Sequence, residues 1–60
     1  MILAEIFIQK KGPQKGRYAA RLRDSRNPRP VFTSEGYVRK AMAIKQAEKY
    51  SPGAKIVDLT

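Results

Sequence analysis

The chain has 60 residues and contains neither cysteine nor histidine. That length fits one compact domain, and the composition excludes disulfides, thiolate metal sites and the commonest general base. Lysine and arginine number 13 against 5 acidic residues, a net charge of +8, which favours polyanionic partners.

Residues 2–9 alternate, with Ile2, Ala4, Ile6 and Ile8 on one face and Leu3, Glu5, Phe7 and Gln9 on the other. Apolar, mostly β-branched residues at period two predict a strand whose first face meets the core. Lys11-Gly12-Pro13-Gln14-Lys15-Gly16 predicts a turn, because two glycines and a proline stop a strand and permit positive φ. Alternation resumes over 17–23. Tyr18, Ala20 and Leu22 are expected inward, and Arg17, Ala19, Arg21 and Arg23 outward, in a strand antiparallel to the first.

Residues 24–30 read as a loop, since Pro28 and Pro30 cannot donate ladder bonds. A short third strand is expected over 31–33, followed by a junction at Ser34-Glu35-Gly36. A helix is predicted from residue 37 or 38 to 50, with Tyr37, Ala41, Ile44 and Ala47 inward and Ser34 as the best available cap. Ser51-Pro52-Gly53 stops it, and 54–59 form a last short strand. The fold class is therefore α+β: a small antiparallel sheet in β-β-β-α-β order with one helix packed on one face, a single domain spanning 1–60.

The opening apolar stretch is broken by Glu5 and lacks a basic flank or small-residue cleavage site, so a signal peptide is not expected. No segment reaches the length of a membrane-spanning helix. The helix offers Lys40, Lys45 and Lys49 but a weak, alanine-rich apolar side, so no membrane partner is expected. A cytoplasmic protein is the expectation.

The basic excess is local. Residues 10–29 contain eight basic residues and one acid, a net +7, whereas the rest carries five basic against four acidic residues, a net +1. The candidate nucleic-acid-binding residues are Lys10, Lys11, Lys15, Arg17, Arg21, Arg23, Arg26 and Arg29. Arginine offers bidentate contacts to phosphate and guanine edges, and the lysines and loop arginines would neutralise phosphates at the ends of the sheet. Leu3 and Phe7, on the outward face of the first strand, would either stack on bases or form a dimer interface. A small basic protein also docks on an acidic protein partner by complementary charge. With disulfides and metals excluded, self-association is the remaining common stabiliser for so short a chain, and a homodimer is expected.

Nothing points to catalysis. Glu35, Glu48 and Asp58 are scattered, Ser34 has no base beside it, and no G-x-x-x-x-G-K-[ST] loop occurs. Tyr18 and Tyr37 fit core positions, and Tyr50 the core edge. No cofactor or metal is expected.

Thr33-Ser34-Glu35-Gly36-Tyr37 and the closing Ser51-Pro52-Gly53-Ala54-Lys55-Ile56-Val57-Asp58-Leu59-Thr60 resemble the corresponding stretches of the YegP-like family of unassigned function. Gly16-Arg17-Tyr18 through Leu22 is similar to that family's second strand. The loop Ser25-Arg26-Asn27-Pro28-Arg29-Pro30 departs from the family's Asn-Gly turn, and the helix is shorter than usual. The resemblance implies a β-rich sheet with a packed helix, and dimerisation of a single copy, because the family often carries tandem copies. Gly16-Arg17-Tyr18, with Arg21-Leu22-Arg23-Asp24, is also similar to the arm-binding N-terminal domains of tyrosine recombinases. That resemblance implies a sheet able to present basic strands to DNA.

Overall fold

The alternating segments pair as a hairpin. The computed structural model describes residues 1–60, with β1 (Ile2–Ile8) antiparallel to β2 (Tyr18–Asp24) and Glu5 directly opposite Arg21. The turn closes through two bonds between Gln9 and the residues just before β2: Gln9 N–H donates to Arg17 O at 2.9 Å and Gly16 N–H to Gln9 O at 2.8 Å. Gly12 and Gly16 hold φ of 83° and 85° there, a left-handed conformation that side chains disfavour.

β3 (Phe32–Thr33) adds antiparallel to β2, and β4 (Lys55–Asp58) adds parallel to β1, giving the order β3-β2-β1-β4. The β-β-β-α-β order and the α+β class are as expected. The sheet is mixed rather than wholly antiparallel, because α1 (Lys40–Tyr50) carries the chain back across the sheet before β4 begins.

The helix starts later than its sequence predicts. Tyr37 forms an isolated bridge with Tyr18, exchanging both backbone bonds at 2.8 and 2.7 Å. A residue so paired is extended, so Tyr37 belongs to the sheet. Ser34 is not the cap either. Its N–H donates to Ala20 O at 2.8 Å, and its hydroxyl accepts from Ala20 N–H at 2.9 Å. Glu35 and Gly36 then stand opposite the single residue Ala19, a bulge that lets the ladder resume at Tyr37. Arg39 occupies the N-cap position with no side-chain cap bond.

Within the helix, Ile44 and Ala47 face the core as expected, and Ala43 joins them in place of Ala41. Ala43 and Ala47 are the buried helix residues, with Ile44 packed beside them, whereas Ala41 is exposed. The expectation fails at Ala41 because Tyr37, which anchored it, is not helical. The core consists of Ala4, Ile6, Ala20, Leu22, Ala43 and Ala47. Alanine on both sides lets the helix lie close to β1 and β2, and Ile6 is the largest fully buried side chain, worth roughly 1.5–3 kcal/mol of burial. Ile8, expected inward, ends β1 outside this cluster and is exposed. Tyr50 is also exposed and packs on Phe32, with ring centroids 4.6 Å apart.

Candidate nucleic-acid interface

One helix leaves the other face of the sheet open. Alternation and register place Leu3, Glu5 and Phe7 of β1 there, opposite Arg23, Arg21 and Ala19 of β2, with Lys55 and Val57 of β4 alongside Leu3 and Glu5. The eight basic candidates do not form one surface. Lys10, Lys11, Lys15 and Arg17 sit at the β1–β2 turn. Arg21 and Arg23 lie on the open face. Arg26 and Arg29 occupy the β2–β3 loop at the other end of the hairpin.

The two sheet arginines are largely committed within the protein. Arg21 Nε donates to Glu5 Oε1 at 2.9 Å, and Arg23 Nε lies 3.1 Å from the same oxygen. Arg23 also reaches the carbonyls of Asp24 and Asn27 at 3.3 and 3.4 Å. The Glu5 carboxyl is held below its ordinary value, first by the hydrogen bond from Arg23 and then by that from Arg21, against a burial effect that raises it. Glu5 is covered although it faces away from the helix. The alternation already put Glu5 on the face shared with the arginines, but only the strand register shows that it stands between them.

Phe7 is half-buried, and the Arg21 guanidinium carbon lies 4.8 Å from its ring centroid. This cation–π contact and the Glu5 bond fix Arg21 at two points. The terminal nitrogens of Arg21 make no hydrogen bond within the protein. Leu3 is half-buried four residues away, separated from Phe7 on the same face of the strand by Glu5.

The turn differs. Lys10, Lys11, Lys15 and Arg17 are all exposed, and none lies within salt-bridge distance of a carboxylate. Arg17 shares a shallow cleft with Glu35, Gln9 and Gln14 without pairing to the acid. In the opposite loop, Arg26 lies 3.8 Å from Asp24, and Arg29 makes no ion pair. The Asp24 carboxylate and the Asn27 side-chain amide oxygen accept from the backbone N–H groups of Arg26 and Arg29 at 2.9 and 3.0 Å, shaping this loop as side-chain-closed turns.

Of the turn cations, Lys10 borders a cleft of about 500 Å³ lined by Phe7, Ile8, Lys10, Arg21, Leu59 and Thr60. Ile8, Leu59 and Thr60 were not site candidates from sequence. The cleft forms only because β4 pairs beside β1, where Leu59 N–H donates to Ile6 O at 2.8 Å. No helix is long and apolar enough to cross a membrane, and no group of three or more acidic residues is arranged to hold a metal.

No protein-family model, curated protein or solved structure matches this chain.

Proposed function

We propose that the chain is a non-enzymatic nucleic-acid-binding module whose principal phosphate contacts come from the β1–β2 turn. The observation that carries this reading is the unneutralised cluster Lys10, Lys11 and Lys15, exposed at one end of the sheet with Arg17 beside it. Three of the five acids are spent elsewhere, Glu5 on the sheet arginines, Asp24 beside Arg26 and Asp58 on Lys40, and Glu35, which shares the Arg17 cleft, pairs with none of the turn cations. Arg21 continues the positive surface from the turn onto the open face. Arg26 and Arg29, at the far end, would touch phosphate only on a longer segment.

Phosphate neutralisation releases condensed counterions, so binding to a labelled oligonucleotide should weaken steeply with salt. The variant K10A/K11A/K15A should lower the log–log salt slope by about 0.7 per lost contact on a single strand, or about 0.9 on a duplex. An unchanged slope and affinity overturns the assignment of the turn.

A protein partner is the second reading, favoured by the exposed Val31, Phe32 and Tyr50 around the short edge strand β3. A second copy would be better placed at that edge than on the open face. There, two copies each carrying +8 would bring Arg21, Arg23 and Lys55 against one another. Sedimentation in the same salt series separates this reading from the first.

A further inference from the structure

We infer that the cleft lined by Phe7, Ile8, Lys10, Arg21, Leu59 and Thr60 receives an unpaired base and its phosphate, making the module selective for single-stranded nucleic acid. This rests on the nucleic-acid reading above and specifies its substrate. The cleft combines two chemistries that a nucleotide presents together. Its apolar lining is Phe7, Ile8 and Leu59, the last two exposed. Its cations are Lys10, which has no carboxylate partner, and Arg21, whose terminal nitrogens make no hydrogen bond within the protein.

Arg21 is already oriented. Its Nε is bonded to Glu5 at 2.9 Å, and its guanidinium packs on the Phe7 ring at 4.8 Å. A guanidinium so held presents a flat surface for base stacking and free donors for phosphate at little further entropic cost. Lys11 and Lys15 lie on the turn that follows Lys10 and would track the adjoining backbone. A paired base, already stacked within a duplex, could not enter the cleft without being unpaired.

The test uses the full chain with a labelled single strand, the same sequence as a duplex, an abasic strand of equal length and charge, and a nucleoside monophosphate. The single strand should bind at least about fivefold more tightly than its abasic counterpart, and more tightly than the duplex. L59A removes an exposed side chain from the cleft and should lower single-strand affinity about fivefold or more while leaving abasic-strand binding unchanged. R21K, which keeps the charge but loses the planar surface, should also lose single-strand affinity. The monophosphate should bind far more weakly than the strand because it lacks the turn contacts.

Equal affinity for the strand and its abasic counterpart overturns the cleft but leaves the turn reading standing. So does unaltered single-strand binding in a folded L59A variant. Monophosphate binding as tight as the strand's overturns the strand as the ligand. Failure of every strand to bind overturns the nucleic-acid reading and the cleft together.

Discussion

Glu5 and Arg21 face each other across the β1–β2 pair, and a 2.9 Å hydrogen bond joins Oε1 to Nε. Arg23 reaches the same oxygen at 3.1 Å. One carboxylate thus restrains both arginines on the open face and lowers the positive field there.

Replacing that carboxylate should therefore strengthen polyanion binding. In Glu5→Gln, Arg21 and Arg23 lose their shared counter-charge, so oligonucleotide affinity should rise severalfold at low salt and the salt slope should steepen. The fold should lose only roughly 1 kcal/mol or less, because both arginines reach solvent. Anisotropy titration beside a denaturant melt checks both parts. Weaker binding in a folded E5Q protein would show that orientation of Arg21 outweighs its neutralisation.

Stability depends heavily on one side chain. Ile6 is fully buried in a cluster whose other members are Leu22 and four alanines, and the alanines are too short to fill its place. Ile6→Ala should cost about 2–5 kcal/mol, a large part of the few kcal/mol available to a domain of this size. Urea denaturation should show the midpoint falling sharply or the folded baseline disappearing.

The helix entrance can be improved. Arg39 occupies the N-cap position without a side-chain bond, and the first turn contains no acidic residue. Arg39→Asp should accept a first-turn N–H and reverse the charge at the positive end of the helix. A gain of about 1 kcal/mol is expected, raising Tm by roughly 4–8 °C for a domain this short. A thermal melt followed by circular dichroism measures it.

Acid should loosen the fold through two carboxylates. Asp58 is lowered from 3.8 to about 2 by hydrogen bonds from the Thr60 hydroxyl and N–H and then from Lys40. Glu5 is lowered from 4.5 by Arg23 and then Arg21. A carboxylate depressed in the folded state contributes stability that is complete above its unfolded value and is lost as pH falls through its folded value. Denaturation midpoints should be flat above about pH 5 and decline towards pH 2. The decline should be shallower in Glu5→Gln and in Asp58→Asn.

Much of the architecture was legible because it is written in local periodicity. Ala4 and Ile6, and Ala20 and Leu22, recur at period two and became the core of adjacent strands. Gly12-Pro13 and Gly16 closed the hairpin, and Ser51-Pro52-Gly53 ended the helix. The helix entrance was not legible in this way. Ser34 has the chemistry of a cap, and Tyr37 the spacing of a helical face, yet both satisfy their backbones against β2. Their partners lie 14 and 19 residues away, beyond the reach of any local pattern.

The amino-acid sequence by itself determined the number and order of the elements, the inward face of the first two strands and the concentration of positive charge in residues 10–29. Tertiary structure alone decided which of those charges remain free. Strand register put Glu5 between Arg21 and Arg23, the bend of the hairpin left Lys10, Lys11 and Lys15 without a partner, and parallel pairing of β4 brought Leu59 beside Phe7. Charge and propensity belong to residues one at a time, whereas neutralisation and a binding cleft depend on distances between residues far apart in the chain.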